Sequence, residues 1–528
     1  MLFNESRDKW LQQAQALLPV LQKVTKQPQQ VIRVVPDAAA FQGWQTTSDG
    51  PVSTVEGRPW GRNESFILDF EEYLVGYFEF SLAVVGTMDA PVRLKFTFGE
   101  MPAEVAEAFD PFQSDLSRAW LQDDVITLDV LPQAVRLPRR YAFRFLKIEV
   151  IDTSRSFEVQ FSNFVCHTVT SADFKQVEAL PSGVSERAQQ LDDISLTTLA
   201  SCMHTVFEDG PKRDRRLWIG DLRVQALANA ETFKNYDLVK RCLYLFAAMA
   251  HENGLVPACV FESPEPHRGH CDILDYAALY VPTLLEYARA SGDWETVREL
   301  WPVAQRQMEG VLEYVNADGL FIDPGTWWIF IDWQQALNKQ TAMHGVAIYC
   351  LRRAIDMAEH LGFTEQAASW QLVLEKMINA AREKLLSAQG LFVSGGENQL
   401  SWASQVWMIL AEVISPAQGA GILRTIQSHP DAVRPAGPYL YHYVVEAMLH
   451  CGLNDEARDL LYSYWGGMAE RGAKTFWEVF DPQNPLLSPY HNHLINSYCH
   501  AWSCTPTLFV RRHPDLFRES VEATKGGS

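Results

Sequence analysis

One short segment of the chain concentrates side chains that could bind a sugar and move a proton. Between residues 208 and 221 it carries Asp209, Asp214 and Asp221 together with Trp218. Carboxylates can hold neighbouring hydroxyl groups, one carboxyl group can protonate a leaving oxygen, and an indole can cover an apolar sugar face. The alternative interpretation is a charged surface loop in which Asp221 caps the helix that follows.

Three arginines in this segment constrain which aspartate could donate a proton. Arg213, Arg215 and Arg216 would lower the pKa of a nearby carboxyl group, whereas a general acid needs a raised pKa. An acid role for Asp214 therefore requires that some guanidinium groups point away, or that a second carboxylate lies close.

Two further candidates lie towards the C-terminus. Glu478 follows Trp477 and precedes a helix-breaking run, and an acid beside a tryptophan is a plausible site carboxylate. Otherwise Glu478 is a solvated glutamate at the end of a helix. His500 either joins the same site or is a hydrogen-bonded histidine of the core. The residue types alone leave these interpretations open.

An aromatic run at residues 327–333 contains Asp332 and Trp333. Core packing is the alternative to a binding role for this run, and we expect core packing for Phe330. Most of the 16 tryptophans lie after residue 190, many in or near predicted loops. That distribution is less typical of an open helical solenoid than of a closed barrel with an aromatic-lined opening.

Composition and charge exclude several classes of protein. The 528 residues carry 45 Lys and Arg against 65 Asp and Glu, a net charge of −20, which argues against nucleic-acid and anionic-membrane partners. No run of about 18 apolar residues occurs, and the first 29 residues suit an amphipathic helix better than a signal peptide. The nine cysteines match neither a zinc spacing nor a redox pair, which indicates a cytosolic chain with reduced thiols.

The pattern of apolar residues changes near residue 180. From about residue 40 to residue 170 it alternates with period two, as in 93–98, 141–150 and 157–161, which predicts an antiparallel β-sandwich. After residue 190 the period becomes helical. Long helices are predicted over 238–251, 276–290, 294–315, 343–361, 365–386 and 404–414.

The helical half contains a repeated ending. Gly254, Gly319 and Gly390 each follow a long helical stretch and precede two apolar residues, which suggests a glycine stop at the helix C′ position. Repeated helical hairpins form either an open solenoid or a closed barrel, and we favour the barrel. The expected division is an N-terminal segment with the sandwich at 1–185 and a helical barrel at 186–528.

The segment 209–221 resembles the signature of the bacterial α-L-rhamnosidases of glycoside hydrolase family 78. That signature is an aspartate, usually Cys-Pro, an arginine followed by an acid, then usually Gly-Trp, a variable residue, glycine and aspartate. Residues 332–333 resemble the family's Asp-Trp segment, residues 475–478 its Thr-x-Trp-Glu, and His500 its late histidine. The β-rich half is similar to the sandwich that precedes the family's catalytic barrel.

The resemblance implies hydrolysis with inversion in an (α/α)6 barrel. Asp214 would be the general acid and Glu478 the general base that activates a water, and such pairs stand roughly 6.5–9.5 Å apart. Because the family usually has glutamate where this chain has Asp214, Asp209 and Asp221 stay open as proton donors. The resemblance also implies these substrate-binding residues: Asp209, Arg213, Trp218, Asp221, Asp332, Trp333, Trp477 and His500.

We therefore expect an exo-acting α-L-rhamnosidase that removes terminal rhamnose from small glycosides or oligosaccharides without a cofactor or a metal. We expect it to be cytoplasmic, with a homodimer as a possible state and with no nucleic-acid or membrane partner. One alternative is another six-hairpin glycosidase, similar to an α-glucosidase or trehalase. The other is a non-catalytic carbohydrate-binding protein on the same fold, although a pure binder needs neither Asp214 nor Glu478.

Overall fold

The computed structural model describes residues 3–519, and its first half is an antiparallel β-structure, as predicted. Within those residues nine strands pair in the order β1-β9-β4-β8-β5-β6, with β2 and β7 also on β4 and with β3 on β2. The strands are β1 (Gln22–Lys26), β2 (Gln30–Pro36), β3 (Trp44–Gly50), β4 (Ser65–Gly86), β5 (Val92–Gly99), β6 (Asp123–Leu128), β7 (Gln133–Arg136), β8 (Tyr141–Asp152) and β9 (Phe157–Thr170).

The long strand β4 organises this half of the chain. Its first part pairs with β2 and β8 and its second part with β7 and β9, so it takes part in both layers of the sandwich. Side chains alternate across a strand, and Phe78 and Phe80 of β4 pack with Phe96 in the core. The sheet begins at β1, earlier than the start predicted near residue 40. The sequence pattern missed β1 because a short polar strand carries little apolar alternation.

Helices make up most of the remainder. Three lie in the N-terminal half: α1 (Asn4–Ala16), α2 (Ser53–Glu56) and α3 (Pro102–Ala106). The others are α4 (Glu186–Ser201), α5 (Ile219–Glu231), α6 (Tyr236–Ala248), α7 (Leu274–Ser291), α8 (Trp294–Leu312), α9 (Gln340–Leu361), α10 (Thr364–Lys384), α11 (Trp402–Leu410), α12 (Pro416–Ser428), α13 (Pro438–His450), α14 (Asn454–Glu470) and α15 (Pro506–Arg512). Short strands lie in the loops between these helices: β10 (Leu217–Trp218), β11 (Cys259–Phe261), β12 (His267–Arg268), β13 (Val393–Ser394) and β14 (Gln399–Leu400).

The helices form a closed barrel of hairpins. The inner helices α5, α7, α9, α11 and α13 contact one another in sequence, and the segment at 501–512 contacts both α13 and α5 and so completes the ring. The alternative of an open solenoid is therefore wrong. The helix predicted within the first 29 residues is α1, which ends at Ala16 and packs on α6, whereas Gln22–Lys26 of the same stretch form strand β1. Since β9 ends at Thr170 and α4 begins at Glu186, the division between residues 185 and 186 stays a prediction.

The three glycines that were predicted to end helices lie in tight turns after the helices instead. The helices end about six residues before Gly254, Gly319 and Gly390, and each of these glycines has a positive φ in a tight turn. In each turn the glycine N–H donates to a carbonyl three residues back, and the same repeated turn follows α6, α8 and α10. Left-handed glycine caps do occur elsewhere, as at Gly292 after α7 and Gly362 after α9.

Close packing between inner helices makes one glycine sensitive to substitution. A Cβ at Gly345 in α9 would lie 2.8 Å from the backbone of Trp407 in α11. We expect Gly345→Ala to lower the free energy of unfolding by about 1–3 kcal/mol, because overpacking outweighs the gain in helix propensity. Denaturant unfolding would measure the change.

Gly421 in α12 is the matched control, since a Cβ there would meet nothing within 4 Å. Gly421→Ala should raise the free energy of unfolding by up to about 1 kcal/mol. Equal stabilisation by both substitutions would contradict the close approach of α9 and α11.

Candidate active site

Asp209 closes the loop that joins α4 to α5. Its carboxylate accepts hydrogen bonds from the backbone N–H groups of Asp214 at 3.1 Å and Arg216 at 3.0 Å. Burial and then the charge of Asp214 raise the pKa of Asp209 to about 8. A Cβ at Gly210 would lie 2.4 Å from the carbonyl oxygen of Arg213, so the turn requires glycine.

The guanidinium of Arg213 contacts both predicted catalytic carboxylates. One terminal nitrogen lies 3.2 Å from Oδ1 of Asp214, and the other donates to Oε2 of Glu478. Nε of the same group donates to the carbonyl oxygen of Ile495 at 3.0 Å, and its carbon lies 4.4 Å from the ring centre of Tyr490. Because both carboxylates bind one planar group, their contacting oxygens stand within roughly 8 Å of each other.

Glu478 is held by several donors at once. Its Oε1 accepts a hydrogen bond from the hydroxyl of Tyr490 at 2.5 Å, and its Oε2 accepts one from the N–H of Ser497 at 3.1 Å in addition to that from Arg213. The backbone N–H of Glu478 donates to the carbonyl oxygen of Ser497 at 3.0 Å. Charge-assisted hydrogen bonds of this kind hold a carboxylate in one orientation.

The arginines around Asp214 do not all point towards it. Arg215 donates to a backbone carbonyl of the sandwich at 2.9 Å, and the guanidinium of Arg216 lies 4.2 Å from the centre of an aromatic ring. Of these three arginines only Arg213 contacts Asp214, and the carboxylate of Asp209 accepts a hydrogen bond from the backbone N–H of Asp214. Two of the three guanidinium groups therefore point away from Asp214, as an acid role requires, while the role itself stays a prediction.

His500 lies between two of the aspartates. Its Nδ1 is 3.7 Å from Oδ1 of Asp221, and its Nε2 is 4.0 Å from Oδ2 of Asp209. Burial lowers the pKa of His500 well below its usual value, so the ring is neutral, and burial also raises the pKa of Asp221. The hydroxyl of Tyr276 donates to Asp221, and a Cβ at Gly220 would clash with that tyrosine ring.

These groups line a cavity of about 260 Å³. Pockets for drug-sized ligands measure roughly 300–1,000 Å³, so this one suits a single small ring. Aromatic rings form much of its wall: Trp218, Tyr276, Trp328, Phe330, Trp333, Tyr490 and Trp502. Among the described residues, these buried lining atoms have no hydrogen-bond partner: Nε1 of Trp218, Nε1 of Trp333, Oδ1 of Asp221 and Nδ1 of His500.

Asp275 orients the aromatic run at 327–333. Its carboxylate at the start of α7 accepts hydrogen bonds from the N–H groups of Phe330 at 2.8 Å and of Ile331 at 3.0 Å. Phe330 is buried and packs against Trp333 and Trp502, with ring centres 5.1 and 5.8 Å away. The core packing expected for Phe330 is therefore present, and the same ring also lines the cavity.

The structure brings most of the predicted site residues together. The following predicted residues line the cavity: Asp209, Arg213, Asp214, Trp218, Asp221, Trp333, Glu478 and His500. Asp332 and Trp477 do not. Oδ2 of Asp332 accepts a hydrogen bond from the N–H of Ala436 at 2.6 Å, and Trp477 stacks on Phe41 at 4.7 Å. Direct contact with a sugar is therefore not expected from these two side chains.

Sequence reasoning missed several lining residues. Tyr490, which binds Glu478, lies in a loop without any motif, and Tyr276 is one of many apolar residues of α7. Leu116 comes from the N-terminal half, packs on a hydrophobic cluster that includes Tyr490, and lines the cavity.

The described part of the chain shows no arrangement for a metal ion. No group of three or more His, Cys, Asp or Glu side chains is clustered suitably within residues 3–519. In the same residues, no helix combines the length and apolar character that crossing a membrane requires.

A β-sandwich followed by a six-hairpin barrel, with paired carboxylates in a small aromatic cavity, defines a six-hairpin glycosidase. The model of the glycosyl hydrolase family 78 α-rhamnosidase N-terminal domain matches residues 28–168. The model of the bacterial α-L-rhamnosidase six-hairpin glycosidase domain matches residues 184–513. The chain belongs to the α-L-rhamnosidases of glycoside hydrolase family 78.

Solved structures agree with this family. A rhamnosidase from Klebsiella oxytoca with rhamnose bound is 45% identical, with a TM-score of 0.93 over 96% of this chain and 99% of that chain. A family 78 rhamnosidase of Bacillus sp. GL1 is 21% identical, with a TM-score of 0.71 over 84% of this chain and 46% of that one, and supports the fold alone. A comparison with curated proteins finds no match.

The burial of Asp332 makes stability depend on pH. Burial raises the pKa of Asp332 to about 7 from an ordinary value of 3.8, so between these values the folded protein keeps a proton that the unfolded chain has lost. The contribution of the protonated Asp332 side chain to stability is therefore fully present below about pH 3.8 and is lost as the pH rises through about 7. Relative to wild type, Asp332→Asn should become more stable by up to about 1.4 kcal/mol per pH unit across this window.

Thermal unfolding at several pH values between about 4 and about 8 would measure this difference. The exposed Asp431 serves as the control, and Asp431→Asn should leave the pH dependence of wild type unchanged. An identical pH dependence in Asp332→Asn and wild type would contradict the burial of an ionisable group at this position.

Proposed function

We propose that the chain is an inverting, exo-acting α-L-rhamnosidase that removes terminal rhamnose from small glycosides or oligosaccharides. The observation that carries this proposal is the contact of one buried guanidinium, that of Arg213, with both Asp214 and Glu478 at a cavity sized for one ring. The family supplies the class of sugar, and a solved relative at 45% identity is described with rhamnose bound.

In the proposed reaction Asp214 donates its proton to the glycosidic oxygen as the bond to the anomeric carbon breaks. Glu478 takes a proton from a water molecule, and the water oxygen bonds to the anomeric carbon from the opposite face. The products are free rhamnose of inverted configuration and the released alcohol. Arg213 and Tyr490 hold Glu478 in place, because both donate to its carboxylate.

The polar and apolar parts of the cavity suit a 6-deoxy sugar. The unpartnered atoms of Asp221, His500, Trp218 and Trp333 can bond to ring hydroxyls, which removes the cost of leaving buried polar groups unsatisfied. The aromatic wall can cover the C6 methyl group, and burying such a group contributes about 0.8 kcal/mol. A cavity for one ring also favours removal of a terminal sugar.

A panel of glycosides tests the substrate and the stereochemistry. The p-nitrophenyl α-L-rhamnopyranoside should be hydrolysed at least about 10²-fold faster than the α-glucoside, α-mannoside and β-galactoside, because each of these places a C6 hydroxyl against the aromatic wall. Proton NMR at early times should show the β-anomer of rhamnose first. Initial α-anomer would refute inversion, and turnover of another glycoside would indicate a different six-hairpin glycosidase.

Leaving-group dependence tests which carboxyl group is the acid. Asp214→Asn should lower kcat/KM by about 10²–10⁴-fold on an alkyl rhamnoside and much less on the 2,4-dinitrophenyl rhamnoside, whose leaving group needs no proton. Glu478→Gln should lower both rates alike, because water activation is needed in either case. If Asp221→Asn or Asp209→Asn shows the leaving-group dependence instead, that aspartate is the acid and the assignment of Asp214 is wrong.

Rhamnose binding without turnover of any glycoside would favour the carbohydrate-binding alternative.

Several expectations from the sequence stay predictions. They are the cytoplasmic location, the homodimer, the absence of cofactors and nucleic-acid partners, and the division at residues 185 and 186.

A further inference from the structure

Three charged side chains meet in the interior between the sandwich and the barrel. Nζ of Lys212 lies 3.0 Å from Oε2 of Glu100 and 2.8 Å from Oε1 of Glu104, and all three side chains are at most 2% exposed. Both glutamates belong to the N-terminal half, beyond β5 and in α3, whereas Lys212 immediately precedes Arg213. Because buried charges are costly unless they are paired, the cluster favours one arrangement of the two halves.

Glu100 also contacts the segment that holds the proposed base. Its Oε2 accepts a hydrogen bond from the backbone N–H of Tyr498 at 2.8 Å, and its Oε1 accepts one from a tyrosine hydroxyl of β4 at 2.5 Å. Ser497, the residue before Tyr498, donates its N–H to Glu478. One carboxylate of the sandwich therefore holds a residue of each catalytic segment, Lys212 on one side and Tyr498 on the other.

A second contact joins the sandwich to the start of the same loop. Both terminal nitrogens of Arg140 donate to the carboxylate of Glu208, at 3.0 and 2.7 Å. Arg215 in turn donates to the backbone carbonyl of Arg140 at 2.9 Å. The loop is thus attached to the sandwich on both sides of Asp214.

We propose that the sandwich takes part in the reaction through Glu100, a positioning residue that sets the separation of Asp214 and Glu478. This inference rests on the proposed function. Glu100 does not line the cavity and so acts through Lys212 and Tyr498. Asp214 follows Lys212 by two residues, so a shift of either segment changes the distance across which the acid and the water-activating base must act together.

Steady-state kinetics of Glu100 variants test this role. Glu100→Ala should lower kcat on p-nitrophenyl α-L-rhamnopyranoside by about 10²-fold, as misplacement of catalytic groups does, while the Kd of L-rhamnose measured by calorimetry changes less than about threefold. Glu100→Gln should restore kcat to within about fivefold of wild type, because its amide oxygen still accepts hydrogen bonds from Lys212 and from the N–H of Tyr498.

Asp192 provides a matched control. It is a buried carboxylate that accepts hydrogen bonds from Arg511 at 2.9 and 2.7 Å and from Thr507, both in α15 and outside the catalytic segments. Asp192→Ala should lower the unfolding temperature as Glu100→Ala does, yet keep kcat within about twofold of wild type. An equal loss of kcat in both variants, or an unchanged kcat in folded Glu100→Ala, would overturn the proposal.

A second variant covers the case in which Glu100→Ala does not fold. The pair Glu104→Gln with Lys212→Gln removes one charge of each sign, so the net charge of the cluster does not change. We expect its kcat to fall at least about tenfold with the Kd of L-rhamnose preserved. Full activity of this double variant would overturn the proposal.

Hydrogen–deuterium exchange separates this inference from the proposed function. In wild type the N–H groups of Asp214 and Arg216 are bonded to Asp209, so a peptide covering 208–217 should be protected. Protection should fall in Glu100→Ala and persist in Asp192→Ala. If wild type hydrolyses no glycoside, the proposed function fails, and unchanged protection in Glu100→Ala would independently overturn the positioning role.

Discussion

The buried guanidinium of Arg213 is the interaction on which the site depends, because it binds Asp214 and Glu478 at once. The charges of Arg213 and Glu478, whose side chains are at most 3% exposed, are tolerated away from water only when each is paired and hydrogen-bonded. The surrounding structure meets that requirement through the hydroxyl of Tyr490, the backbone N–H of Ser497 and the carbonyl group of Ile495. Removing one partner would leave a buried charge uncompensated, so the two catalytic segments are structurally coupled through this contact.

The two halves of the chain contribute differently to this arrangement. The barrel provides a ring of inner helices, and most of the functional side chains lie on the connections between its helices. The sandwich supplies Glu100, Glu104 and Arg140, which anchor the connection that carries Asp214. Loops can carry precise chemistry when a scaffold fixes them, and here the scaffold is built from both halves. Leu116 extends the same principle, since a side chain of the first half lines the cavity itself.

Much of the architecture could be predicted because its signals are local. The change from a period of two to a helical period separated the sandwich from the barrel, and the predicted helices lie within a few residues of α6 to α11. Local signals failed where the same sequence pattern occurs in more than one kind of local structure. A glycine followed by apolar residues occurs at a helix cap and also in a tight turn, and Gly254, Gly319 and Gly390 are in turns. The polar strand β1 carried no pattern that a sequence could reveal.

The sequence by itself determined the residue types of the site, because the spacing from Asp209 to Asp221 and the order of Glu478 and His500 are properties of the chain. Only the tertiary structure decided which of those side chains reach the cavity. It placed Tyr490 against Glu478 and turned Trp477 onto Phe41, although Trp477 adjoins Glu478 in sequence. The physical reason is that orientation, burial and charge pairing depend on neighbours in space, some of them as distant in sequence as Phe41 and Trp477, which local spacing does not encode.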